Sequence, residues 1–155
     1  MTFRIEALPP EPFTPLFAIT DAELAARRTR RMVVDAHPGT PCRVSLADAQ
    51  VGETVILTHY THQPADTPYR ASHAIFVRAG AARARPAVGE VPDVLRSRLV
   101  SLRMFDAGDM MIAADVVPGT ELAAALNDAF AGAAAAYAHL HYAKPGCFAA
   151  SARRA

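Results

Sequence analysis

Cysteine, lysine and tryptophan are almost missing from this chain. Its 155 residues hold two cysteines and no tryptophan, and Lys144 is the sole lysine. Two cysteines cannot build the disulfide framework of a small secreted domain, so Cys42 and Cys147 are expected as free thiols in a reducing cytosol. The other basic side chains are all arginine, which makes a forked guanidinium the main means of gripping an anion.

Neither sign of charge dominates. Sixteen basic and 15 acidic residues leave a formal net charge of +1, so no global field recruits nucleic acid or an anionic membrane. The one basic run, Arg27-Arg28-Thr29-Arg30-Arg31, spans an expected helix end and strand start, where cations complement the helix dipole. Nucleic acid is therefore not expected as a partner. No apolar run approaches the roughly 20 residues that cross a bilayer, and Asn127, Asp128 and Gly132 break the alanine-rich stretch 123–138. Around Arg4 and Glu6 there is no apolar run of the kind a secretory signal needs. A cytoplasmic protein with no membrane partner is the expectation. Phosphate-binding glycine loops and the Gly-x-Ser-x-Gly elbow are also absent, which sets aside a standard nucleotide fold and an α/β-hydrolase.

What is present suits one globular domain over residues 1–155. The chain is 52% hydrophobic and 20% charged, within the globular range. Residues 3–8 alternate as a short strand. Thr20-Asp21-Ala22-Glu23 has the form of a capping box and predicts a helix to about Arg28. Residues 30–36 read as a strand, and Ser45-Leu46-Ala47-Asp48 as the start of a short helical turn. The segments 53–60 and 71–78 are the clearest strands, rich in β-branched and aromatic residues, with a proline-stiffened loop between them. A helix is predicted over 91–98 and strands over 98–105 and 110–117, joined at Asp106-Ala107-Gly108-Asp109. The longest helix is predicted over 121–131, and two last strands over 135–142 and 147–152 flank Lys144-Pro145-Gly146. Strands in adjacent pairs with tight turns predict an α+β fold, a mainly antiparallel sheet with two or three helices packed on one face.

Four groups of residues could carry chemistry. Tyr60, His62, Gln63, Asp66, Tyr69, Arg70 and His73 crowd into fourteen residues between two strong strands, where functional loops tend to lie. His59 extends the row of Val55 and Leu57, and His73 that of Ile75 and Val77, so both are expected at the core edge; His73 could serve as acid or base near neutral pH. His139 and His141 share one strand face about 7 Å apart. That pair could hold an ion, yet zinc usually takes three or four protein ligands, and no metal or cofactor is assigned. Cys42, beside Arg43 and a predicted helix start, has the surroundings of a nucleophile; the sequence does not give its distance from Cys147.

The runs PCRVSL (41–46), TPYRASHAIFVR (67–78) and HYAKPGCFA (141–149) resemble a bacterial family catalogued as domain of unknown function 1203. The likeness covers nearly the whole chain, and departs from the usual pattern at Tyr142 and Phe148, where members carry asparagine and often tyrosine. It implies a stand-alone bacterial protein and no particular activity, and it draws attention to Cys42, Arg43, Tyr69, Arg70, His73 and Cys147.

The leading expectation is a pocket for a small anionic molecule, a carboxylate or phosphate. Arg43 and Arg70 would grip the anion, Tyr60 and Tyr69 would wall the site, and His73 with His139 or His141 would supply a proton or hydrogen bond. Two alternatives are a non-catalytic interaction module acting as a homodimer and a His-x-His metal-binding protein.

Overall fold

In the computed structural model, which describes residues 2–155, the chain forms eight strands and three helices: β1 (Phe3–Glu6), α1 (Asp21–Ala26), β2 (Thr29–Val33), β3 (Thr54–Gln63), β4 (Ala71–Arg78), α2 (Asp93–Arg96), β5 (Leu99–Phe105), β6 (Met111–Pro118), α3 (Leu122–Ala129), β7 (Tyr137–Tyr142) and β8 (Phe148–Arg154). The α+β reading holds. The single sheet does not: the strands divide into a five-stranded sheet, ordered β1-β8-β7-β5-β6, and a three-stranded sheet, β2-β3-β4. Every strand pairing within them is antiparallel.

The helices also divide. Val94 and Leu95 of α2, Leu122 and Leu126 of α3, and the following Phe130 are buried with Val100, Leu102 and Met104 of β5 and Leu140 of β7. This is one face of the five-stranded sheet, because residues two apart on a strand point the same way. Ala138, Ala150 and Ala152 complete that core. Helix α1 instead packs beside β2. Its first turn is the expected capping box: Glu23 N–H donates to Thr20 Oγ1 at 3.2 Å, and Thr20 N–H to Glu23 Oε2 at 2.8 Å. Among the described residues, no helix is long and apolar enough to cross a membrane.

The helix expected from Ser45 is a turn. Leu46 takes a positive φ of 48°, which an α-helix cannot accommodate. Its N–H donates to Cys42 C=O, and Cys42 N–H to Ala47 C=O, both at 3.0 Å. Strand β3 also runs further than expected, through His62 to Gln63, after a register shift between Tyr60 and Gln63. His59 and His73 are exposed, not edge-buried.

Two features position the functional residues. Strand β7 is the middle strand of five, paired to β5 and β8, so nearly all of it is buried. Gly119, just before α3, backs onto the end of α2: a Cβ there would lie 1.9 Å from Leu95 C=O and 2.7 Å from the Arg96 and Arg98 carbonyls. Gly119 N–H donates to Arg98 C=O at 2.8 Å. Only a glycine lets these segments meet so closely.

Candidate functional site

The face of the five-stranded sheet away from α2 and α3 carries Ser101, Arg103 and Phe105 of β5 and Tyr137, His139 and His141 of β7, as their pairing dictates. The end of β3 lies against it, since His62 stacks on Phe148 with ring centroids 5.4 Å apart. Two cavities adjoin this contact between the sheets.

The first has a volume of about 550 Å³ and is lined by, among others, Arg43, His73, Phe76, Arg98, Tyr142, Lys144 and Cys147. Arg43 is only 1% exposed. Its Nε donates to Phe148 C=O at 2.7 Å, Nη1 to Pro41 C=O and Nη2 to Cys147 Sγ at 2.8 Å. These bonds use three of the five N–H groups a guanidinium offers. Its carbon also sits 5.0 Å from the centroid of the Tyr142 ring. Among the described residues, no carboxylate lies in salt-bridge range of Arg43. A buried charge is normally compensated by an opposite one.

Tyr142 is 3% exposed, and its buried hydroxyl has no hydrogen-bond partner. Burial pushes its pKa up to about 12, against the opposing pull of Arg43 and Arg98. The phenol is therefore a neutral donor at pH 7. Lys144 stands exposed at the cavity wall. The remaining basic wall residue, Arg98, is already matched: it clasps Asp48 through two bonds of 2.6 and 2.9 Å.

That pair yields a pH prediction. Burial raises the pKa of Asp48, but the hydrogen bonds and charge of Arg98, with the Gly39 N–H, outweigh it and leave the carboxyl below its ordinary value. A depressed carboxylate stabilises the fold above the unfolded value near about pH 4, and that contribution is lost as pH falls through the folded value. Asp48→Asn is expected to cost roughly 2 kcal/mol at neutral pH and to flatten the acid decline in Tm. Thermal unfolding from about pH 2 to pH 7 checks this; an unchanged acid limb would sink it.

The second cavity, about 400 Å³, is lined by His62, Gln63, Asp109, Tyr137, His139, Phe148, Ser151 and Arg153, among others. Tyr137 Oη accepts from Gln63 Nε2 at 2.8 Å and donates to Asp109 Oδ1 at 2.7 Å. The rings of His62, His139 and His141 meet here, at centroid separations of 5.9, 4.9 and 6.3 Å. Burial holds the three imidazoles below the ordinary histidine range, at about 4 for His62 and His139 and about 3 for His141; the nearby Arg103 guanidinium adds to this. All three are neutral at pH 7.

The structure thus brings Arg43 and His73 to one cavity, and His139 to another with its neighbour His141 close by. It leaves the remaining candidates apart. Arg70 is exposed and donates to Pro64 C=O. Tyr60 packs on Phe13 with centroids 5.6 Å apart, and Tyr69 sets its edge to Phe105 at 6.1 Å; neither lines either cavity. Cys42 is fully buried, its sulfur accepting from Ser45 and Arg78 N–H at 3.4 and 3.3 Å, and it lines neither cavity. Both thiols are free. Sequence reasoning missed Tyr142, Lys144 and the convergence of His62 on β7. The HYAKPGC run held a signal for the first two, since it places both beside a Pro-Gly turn.

A family model described as protein of unknown function (DUF1203) matches residues 39–154, a span that includes all three runs on which the sequence resemblance rests. No curated protein and no solved structure matches the chain.

Proposed function

The chain belongs to this DUF1203 family, and from that premise we propose that it binds a small organic anion, a carboxylate or phosphate monoester with an apolar body, in the cavity of Arg43 and Tyr142. The observation that carries this reading is a fully buried guanidinium without a carboxylate partner, lining a cavity of about 550 Å³. An anion seated there supplies the missing counter-charge. It can take the two spare N–H groups of Arg43 and the idle hydroxyl of Tyr142. Lys144 adds attraction at the wall, and Leu57, Phe76 and Pro145 offer apolar surface to the rest of the molecule. The role is the one expected from the sequence for Arg43, with Tyr142 and Lys144 taking the places that Arg70, Tyr60 and Tyr69 were expected to fill.

Tyr142→Phe separates ligand binding from stability. Deleting an unpartnered buried hydroxyl should leave the free protein as stable or about 1 kcal/mol more so. The same change should reduce the Tm rise produced by millimolar benzoate, pentanoate or phenyl phosphate, as should Lys144→Ala. If none of the three probes raises the Tm of the unaltered protein, or if both variants respond as it does, the anion pocket is wrong.

A further inference from the structure

A buried imidazole nitrogen normally has a partner. Here three do not. His62 Nδ1, His139 Nδ1 and His141 Nε2 are fully buried and bonded to nothing. They belong to three side chains that meet at one place: one ring nitrogen from each lies within 4.8 Å of those of the other two. His139 and His141 are 7% and 1% exposed, and unsatisfied groups at such depth cost about 1–3 kcal/mol each. Scattered orphans would be three separate defects. Three rings that converge on one point, each keeping an unpartnered nitrogen, make a cage for something that accepts lone pairs.

The protonation pattern fits. His141 Nδ1 lies 3.0 Å from Gly146 C=O. A carbonyl only accepts, so Nδ1 carries the proton and Nε2 presents its lone pair. A backbone carbonyl holding the far nitrogen is the usual way a protein orients a ligating histidine. Phe148 supports the group from below: it stacks on His62 and meets His139 and His141 edge-on at 5.2 and 5.8 Å.

We propose that His62, His139 and His141 form a three-histidine site for one Zn²⁺ ion, with the fourth position open to the cavity of about 400 Å³ beside it. Strand β7 supplies two ligands at a spacing of two, and β3 brings the third from 77 positions earlier. Imidazole suits the borderline transition metals and not Mg²⁺ or Ca²⁺, which demand oxygen. At zinc–nitrogen distances of about 2.0–2.1 Å, ligand nitrogens in a tetrahedron stand about 3.4 Å apart. Closing from 4.8 Å therefore needs each ring to shift by under about 1 Å. Three protein ligands with an open fourth position are the pattern of a zinc ion that binds water or substrate, not of a closed structural site. The cavity wall contributes Arg153 and Asp109, and Arg103 stands opposite His139 on β5. Two cations against one anion favour an anionic oxygen donor at the open position.

This site is independent of the anion pocket and is tested separately. Demetallated full-length protein is titrated with Zn²⁺ by calorimetry and with Co²⁺ by visible absorption. The expected results are one ion per chain, a higher Tm, and the intense ligand-field bands of four-coordinate Co²⁺. His62→Leu and His139→Gln should each abolish stoichiometric uptake, while His59→Ala, at an exposed position, should retain it. Where a variant fails to fold, ¹⁵N-histidine spectra of the unaltered protein decide: Zn²⁺ must move three histidine spin systems, and His59 is not among them. No uptake, the weak absorption of six-coordinate Co²⁺, wild-type uptake by both variants, or shifts confined to other histidines would overturn the assignment.

Discussion

Arg43→Met is expected to cost about 3 kcal/mol of folding stability, within a range of roughly 2–5. Arg43 joins three separate points: Pro41 beside it, Phe148 at the start of β8 and the thiol of Cys147. The two carbonyl partners belong to buried residues, and a methionine satisfies neither. Each orphaned carbonyl costs about 1–3 kcal/mol. Against this stands some relief, because removing a buried charge with no counter-charge regains part of its desolvation. That relief is modest, since a guanidinium is weakly hydrated to begin with and this one already holds three hydrogen bonds. The hydrogen-bond loss wins. Chemical denaturation measures the difference, and a midpoint within error of the unaltered protein would show that Arg43 does not tie the segments together. Added benzoate should also stabilise Arg43→Met less than the unaltered protein.

Gly119→Ala is expected to be of similar size and has a different origin. The added Cβ would stand 1.9 Å from Leu95 C=O, well inside any tolerable contact. The obstacle is backbone on both sides, so no side-chain rotation relieves it. The last turn of α2 or the turn before α3 must move, and both are anchored by buried Leu95 and Leu122. Overpacking of this kind costs about 1–3 kcal/mol and more where the neighbour cannot yield; at about 3 kcal/mol a chain of this length loses roughly 6–12 °C of Tm. Differential scanning calorimetry checks it. A fall of under about 2 °C would mean that α2 and the turn part easily.

Much of the local structure was legible because it is written in short-range chemistry. The capping box at Thr20 and Glu23 needs only four residues, and it forms as read. The turns at Asp106–Asp109 and Lys144–Gly146 follow from turn-forming residues between alternating runs, and both join antiparallel strands. The family could be read from three short runs, and the family match includes them all. Alternation tells which residues share a face and is silent about which strands become neighbours, so the division into two sheets lay outside its reach. Ser45–Asp48 misled because a serine followed by helix-tolerant residues reads as an N-terminus, and nothing local announces the positive φ of Leu46.

The site was legible in the same uneven way. That His139 and His141 face one side follows from their spacing, and they do. That His62 meets them depends on β3 continuing past a register shift and on one sheet lying against the other. Arginine is mostly a surface residue, so the expectation that Arg43 grips an anion carried no sign of its burial. It is the largest fully buried side chain, and two of its three partners lie 104 and 105 positions away.

The middle position of β7 also bears on time. Its amides are shielded by β5 on one side and β8 on the other, so deuterium from solvent reaches them only when the larger sheet opens, an event close to global unfolding. Edge strands such as β6 and β2 can fray at far lower cost. Two of the three imidazoles therefore ride on the slowest-exchanging part of the backbone, and their spacing outlasts the frequent small openings that loosen the rim.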